Sequence, residues 1–158
     1  MRRDDLIAEV GQAFSTVQRP AHFTDYRHCC ECAEHDATLS AHTPDTITRA
    51  ALGHGGWDPM TLATDAGFCY YLPALIRMAL TQEGDEYYVD QFLFQLIWDG
   101  ARNSRWRFCT VAQRAAVAKA LHVLMEERLE EIESNLDGDH LMRAIEIWAD
   151  GDPGIASG

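Results

Sequence analysis

The chain has 158 residues, of which 47% are hydrophobic and 24% are charged. A chain of this size and composition can bury a core without disulfides or metal, which excludes a protein that is disordered throughout. Thirteen basic against 25 acidic residues give a formal net charge of -12. Because this field repels phosphate backbones and anionic lipids, we expect neither nucleic acid nor a membrane as a partner.

The N-terminus and the cysteine content indicate the compartment. Residues 1–5 are mostly charged, and no apolar export segment follows them. The five cysteines are an odd number and three are clustered, which argues against the disulfide framework of a secreted protein. We therefore expect a cytoplasmic protein with reduced thiols, made of one helical domain over residues 1–150 and a disordered tail over residues 151–158.

Three helices are predicted in the first third of the chain. The first begins at residue 4 or 5 and has its apolar residues on one face, at Leu6, Val10, Phe14 and Val17. The second covers residues 25–41, with Thr24 or Asp25 as its N-cap. The third begins at Thr43 and Pro44 and runs to about Leu52. Residues 53–59, with three glycines and a proline, predict a loop.

Two helical segments are predicted next. Thr64 or Asp65 caps the first, and Pro73 is expected to break it because proline removes a backbone hydrogen bond. Gly84 and Asp85 restart the chain, and residues 86–98 are apolar on nearly every side. A helix with this pattern is a central one.

The last two helices are predicted from capping residues. Thr110 and Gln113 fit a capping box that opens a long helix to about residue 136. Its core-facing stripe is predicted to consist of Ala118, Leu121, Met125, Leu129, Ile132 and Leu136. Gly138 is expected to end this helix in the left-handed conformation, and Asp139 to cap the final one. The sequence therefore predicts an all-α fold, an irregular bundle of six to eight helices packed in layers as a single domain.

Residues 28–35 contain the highest density of potentially reactive or metal-binding side chains. The sequence there is His-Cys-Cys-Glu-Cys-Ala-Glu-His. On a helix over residues 25–41, His28, His35 and His42 share one face with Cys32, because seven residues span about two turns. Cys30 falls on the opposite face, beside small residues, and is predicted to be in the core.

A thiophilic metal such as zinc is one interpretation of this segment. Cys29, Cys32 and His35 supply three ligands, and His28, His42 or His54 supplies the fourth. A strong zinc signature has a second ligand pair elsewhere in the chain, and this sequence has none, so zinc is not favoured. The competing interpretation is that these cysteines pack as small hydrophobic residues.

Thiol chemistry at Cys29 and Cys32 is the other interpretation, because two cysteines in this spacing at the start of a helix have a lowered thiol pKa. No βαβ pattern surrounds the pair. Glu31 and Glu34 are also expected to raise a nearby thiol pKa. The isolated cysteines Cys69 and Cys109 are predicted to be buried.

The sequence contains no recognised catalytic signature. It favours a non-enzymatic interaction or accessory domain that binds a protein partner or a second copy of itself. The candidate surface is aromatic, because exposed aromatic residues often anchor interfaces. It comprises Trp57, Tyr70 and Tyr71, together with Tyr87 and Tyr88. The alternative is that these rings fill the core.

Three segments together resemble a bacterial-type family of small proteins without an assigned function. They are the segment of residues 28–35, the loop with Trp57, and the sequence Gly-Phe-Cys-Tyr-Tyr-Leu-Pro-Ala at residues 67–74. The resemblance covers about residues 22–100. It implies that four residues belong to a shared pattern, namely Cys32, Trp57, Tyr71 and Pro73.

Overall fold

The computed structural model describes residues 2–82, 86–100 and 102–151. These residues form eight α-helices, two short 3₁₀-helices and no strand. The α-helices are α1 (Arg3–Ala13), α2 (Cys30–Ser40), α3 (Arg49–Leu52), α4 (Asp65–Thr81), α5 (Val89–Leu96), α6 (Ser104–Phe108), α7 (Val111–Ser134) and α8 (Gly138–Trp148). The all-α prediction is confirmed. The predictions for Gly84, Asp85 and the tail from residue 152 onward lie outside the described residues.

The central helix is α4, which packs against α1, α5, α6 and α7. The sequence assigned that position to residues 86–98, but α5 is shorter and leaves Phe94 exposed. Thr64 caps α4 by accepting a hydrogen bond from the Gly67 amide, as predicted. Along the described chain, no helix combines the length and the apolar character needed to span a bilayer.

Pro73 lies inside α4 and does not break it, contrary to the sequence prediction. Its neighbours Leu72, Ala74 and Leu75 are fully buried. Burial of a leucine side chain contributes about 2 kcal/mol, and several such side chains together offset the roughly 3 kcal/mol that an interior proline costs. Tertiary packing therefore outweighs local propensity at this position.

The long helix α7 begins with the predicted capping box of Thr110 and Gln113. Its predicted core stripe is only partly right, because Leu121 and Ile132 are buried whereas Leu129 and Leu136 are exposed. Arg128 has non-helical dihedral angles (φ -133°, ψ 17°), and its guanidinium donates to the Ala79 carbonyl of α4. This kink changes the rotational register of the last turns, so one stripe cannot continue through them.

The connection from α7 to α8 differs from the predicted glycine terminator. Leu136 has the left-handed conformation (φ 64°), and Gly138 is the first residue of α8. The Leu136 amide donates to the Glu133 carbonyl at 2.9 Å, and the Asp137 amide donates to the Ile132 carbonyl at 3.0 Å. These two bonds form a Schellman motif with leucine where glycine is usual.

Replacing Leu136 by glycine is expected to raise the free energy of unfolding by up to about 1 kcal/mol, because glycine adopts positive φ without a Cβ clash. The leucine side chain is 87% exposed, so its removal sacrifices little buried surface. Urea denaturation measures the change. Leu136→Ala is the matched control, because it removes the same branched side chain but keeps the Cβ. Equal effects of the two substitutions would show that the backbone conformation is not the cause.

Candidate thiol site

The Cys/His segment does not lie wholly on a helix, because α2 begins at Cys30 rather than near residue 25. His28 and Cys29 precede the helix, and the His28 amide donates to the Asp25 carbonyl in a turn. His42 follows the end of the helix. The predicted alignment of His28, His35 and His42 on one helical face is therefore wrong, since only His35 is in α2.

Cys29 is the N-cap of α2. Its backbone is extended (φ -162°, ψ 174°), and its sulfur accepts a hydrogen bond from the Cys32 amide at 3.4 Å. The two sulfur atoms are 3.3 Å apart, and the His28 Nδ1 is 3.8 Å from the Cys32 sulfur. The donor atoms of His28, Cys29 and Cys32 all lie within 4.8 Å of one another.

The segment before α2 is tied to the helix by two polar side chains. The Thr24 hydroxyl donates to the Cys32 carbonyl at 2.6 Å. The Asp36 carboxylate accepts from the amides of Phe23 and Thr24 at 2.6 and 3.3 Å. These bonds fix the path of the chain that carries His28 and Cys29 to the start of the helix.

The three clustered cysteines differ in exposure. Cys29 and Cys30 are exposed, whereas Cys32 is 4% exposed. The predicted core position of Cys30 is wrong, because the helix begins at this residue and its buried face starts at Cys32. One sulfur of the close pair is therefore accessible to a reagent, and the other is shielded.

The environment of the pair separates the pKa values of its two thiols. The Cys32 amide lowers the pKa of Cys29 to about 7, with smaller contributions from the side chains of His28 and Cys32. The hydrogen bond to Cys29 raises the pKa of Cys32, and burial raises it further. The Cys29 sulfur in turn raises the pKa of His28. When one of the two thiols is ionised, the negative charge is therefore on the exposed sulfur of Cys29.

The expectation that the glutamates raise the thiol pKa is wrong for Cys29. The Glu31 carboxylate does raise the pKa of Cys32, but the Glu31 backbone amide lowers that of Cys29. At a helix start the free amides lie closer to the cap atom than the neighbouring carboxylates do. This effect follows from the position of the cap, which the spacing of the cysteines alone does not give.

The other predicted ligands lie apart from this group. His35 is 1% exposed and packs against Trp57, with ring centroids 4.7 Å apart. Its Nε2 is 3.4 Å from a Glu31 carboxylate oxygen. His54 Nδ1 accepts a hydrogen bond from the Gly56 amide within its own loop. The structure thus brings together His28, Cys29 and Cys32 from the predicted set, and places His35 and His54 elsewhere.

The aromatic residues proposed as a surface do not form a continuous exposed patch. Tyr71 and Tyr88 are buried, Tyr70 and Tyr87 are partly buried, and Trp57 is 44% exposed. The Tyr71 hydroxyl donates to the carbonyls of Leu39 and His42 at the end of α2. Tyr71 therefore has a structural role that accounts for its burial.

A second pair of cysteines lies in the core, where burial was predicted. Cys69 and Cys109 are 2% and 3% exposed. The interaction with Cys109 lowers the pKa of Cys69, whereas Cys69 and burial raise that of Cys109. Both residues are far less exposed than Cys29, so a reagent in solvent reaches Cys29 more readily than Cys69 or Cys109.

No protein-family model, curated protein or solved structure matches this chain.

The rate of alkylation of Cys29 by iodoacetamide is expected to rise with pH around a midpoint of about 7, because only the thiolate reacts. His28→Ala removes one stabilising neighbour, so the midpoint should move up toward the ordinary cysteine value of about 8.5. The measurement uses Cys30→Ser protein and peptide mapping, so that Cys30 does not contribute. Urea-unfolded protein gives the reference. An identical midpoint for folded and unfolded protein would contradict the assigned environment.

Proposed function

We propose that this protein carries out thiol-disulfide exchange through Cys29 and Cys32. The observation that carries the proposal is the pairing of an exposed N-cap sulfur with a buried sulfur 3.3 Å away. A dithiol redox site needs one accessible thiolate that attacks a disulfide and a second thiol within reach that resolves the intermediate. The two cysteines have these two properties.

The reaction balances with a disulfide as the oxidant. The Cys29 thiolate attacks one sulfur of the disulfide, forms a mixed disulfide and releases one thiolate. Cys32 then gives up its proton and attacks the Cys29 sulfur, which releases the second thiolate. The protein dithiol loses two electrons and two protons, and the reagent becomes two thiols.

The neighbours of Cys32 explain why the second step follows the first. The hydrogen bond to Cys29 is the largest cause of the raised pKa of Cys32. When Cys29 enters a mixed disulfide its negative charge is gone, so the Cys32 thiolate becomes easier to form. The His28 Nδ1, 3.8 Å from the Cys32 sulfur, is the nearby base for that proton. The attack of Cys32 on the mixed disulfide is therefore favoured only after Cys29 has formed it.

The expected location agrees with this chemistry. A cytoplasmic thiol pool returns an oxidised dithiol to its reduced form, so a site of this kind would cycle there.

The interaction function favoured by the sequence loses support, because Tyr71 and Tyr88 of its proposed surface are buried.

Reduced protein treated with bis(2-hydroxyethyl) disulfide is expected to form an internal Cys29–Cys32 disulfide, seen by mass spectrometry as a loss of two hydrogens. Cys32→Ser should instead accumulate the mixed disulfide at Cys29, because the resolving thiol is absent. Cys29→Ser should abolish the fast reaction and keep the helix, because serine is a strong N-cap.

Cys30→Ser is the matched control, since it removes an exposed cysteine next to the site. It should react as the unsubstituted protein does. Loss of the internal disulfide in this variant, with fast reaction retained in Cys29→Ser, would overturn the proposal. Circular dichroism of each variant confirms that α-helix is retained.

Binding of a thiophilic metal is the second candidate function, favoured by the convergence of His28 with the two sulfurs. Two thiolates and one imidazole are three zinc ligands and leave a position for water. His28 would be the nitrogen ligand in place of the predicted His35 or His54. While it is bound to the metal, the Cys29 sulfur would not be available to react with a disulfide.

Titration with Co²⁺ under reducing conditions tests this candidate through the thiolate-to-metal absorption bands. We expect one equivalent to bind, with loss of the bands in Cys29→Ser and Cys32→Ser and weaker binding in His28→Ala. His54→Ala should bind normally, because His54 lies in a separate loop. Unchanged binding in His28→Ala would remove His28 from the site, and absence of bands would remove the metal function.

A further inference from the structure

We propose that the groove between α7 and α8 is a docking site for an amphipathic helix that carries lysine or arginine beside its apolar face. The proposal is independent of the exchange function, because none of the groove residues belongs to the thiol site. It also concerns a different surface from the aromatic one predicted from the sequence.

The groove is formed by the last turns of α7, the start of α8 and the connection between them, and its volume is about 520 Å³. Its apolar side chains are Met125, Leu129, Leu136 and Met142. Three of them are exposed together, at 87% for Leu136, 49% for Met142 and 38% for Leu129. Adjacent exposed apolar side chains with a polar rim are typical of a protein-binding surface, whereas isolated ones are ordinary.

Leu136 is the groove residue that the fold by itself explains least. Its φ of 64° is a conformation in which glycine is favoured, because a Cβ crowds the backbone there. Its side chain gains little from packing, since it is almost wholly exposed. A partner helix that buries this side chain would give leucine a stabilising role at this position.

Two carboxylates give the groove its charge. Glu133 and Asp139 line it, and both residues are exposed. Among the residues that the structure describes, no lysine or arginine lines the groove. The imidazole of His140, next in the chain to Asp139, has its Nδ1 3.2 Å from an Asp137 carboxylate oxygen. The rim is therefore acidic.

The arginines in the same stretches of α7 and α8 are paired with other groups. Arg128 donates to the Ala79 carbonyl of α4 and pairs with Glu131. Arg143 pairs with Glu146 at 3.1 Å. Each arginine is thus offset by a carboxylate of its own helix, and the negative charge of the rim remains.

The acidic rim decides between a second copy of the chain and a basic helix as the occupant. In a symmetric dimer the same patch would face itself, so the rim carboxylates of two chains of net charge -12 would lie against each other. Such like charges oppose association. A basic amphipathic helix instead places opposite charges on Glu133 and Asp139 and its apolar anchors in the groove. The flexible side chains of Met125 and Met142 suit anchors of different shape.

A model peptide tests the proposal through fluorescence anisotropy at low ionic strength. The probe is a fluorescein-labelled peptide of leucine and lysine, about 14 residues long, whose leucines form one helical face. We expect saturable binding of one peptide per chain. A scrambled peptide of the same composition should bind at least about tenfold more weakly, because it has no apolar face. A peptide with glutamate in place of lysine should not bind.

Variants of the apolar residues locate the binding. Leu136→Gly should weaken binding about tenfold, because the leucine side chain no longer becomes buried in the complex. The same substitution is expected to stabilise the fold, so a loss of binding cannot be due to unfolding. Met142→Ser should weaken binding about fivefold. Phe108→Ser is its matched control, because Phe108 is also 49% exposed but lies on α6, and it should bind normally.

Variants of the rim separate the local carboxylates from the net charge. Glu133→Gln and Asp139→Asn should each weaken binding about twofold to threefold, and salt at about 1 M should remove this difference. Glu34→Gln is the matched control, because it makes the same change in net charge at an exposed residue of α2. It should leave the affinity nearly unchanged.

Three outcomes would overturn the proposal. One is the absence of saturable binding of the basic peptide up to about 100 μM. Another is equal weakening by Glu34→Gln and Glu133→Gln, because binding would then reflect net charge alone. The third is a dimer in sedimentation velocity that dissociates in Leu136→Gly, because the occupant would then be a second copy of the chain.

Discussion

The contact between the Cys32 amide and the Cys29 sulfur is the interaction on which the candidate site depends. It fixes the first residue of α2, and it directs a free backbone amide at a sulfur atom. Helix starts leave four amides without partners, and these groups stabilise negative charge at the cap position. The Cys29 sulfur therefore caps the helix, and the same contact lowers the pKa of its thiol.

Side chains at both ends of α2 hold the helix in place. At its C-terminal end, Arg19 donates to the carbonyls of Ser40 and His42, and Tyr71 of the central helix donates to those of Leu39 and His42. At its N-terminal end, Thr24 and Asp36 fix the incoming chain. Because both ends are held by contacts between α2 and other segments, the cap geometry is a property of the tertiary structure.

The sequence predicted those features that local chemistry determines. The capping box at Thr110 and Gln113 and the cap at Thr64 were correct, because each involves residues within one turn. The start of α2 was wrong because Thr24 is a better N-cap than cysteine in isolation. Thr24 instead bonds to the Cys32 carbonyl and pairs with Ala63. Contacts between distant segments decided the outcome at this position, and likewise at Pro73.

The sulfur that caps α2 is also the atom that would form the disulfide bond. Oxidation of the dithiol would therefore change the stability of the helix start. A thiolate offers the Cys32 amide a charged acceptor, whereas a sulfur bonded to a second sulfur offers a much weaker one. Oxidation would leave the helix start poorly satisfied, so the fold stabilises the dithiol relative to the disulfide. Because stabilising the reduced state raises the reduction potential, this cap would make the proposed oxidation of the dithiol by a disulfide less favourable than that of a pair without the cap.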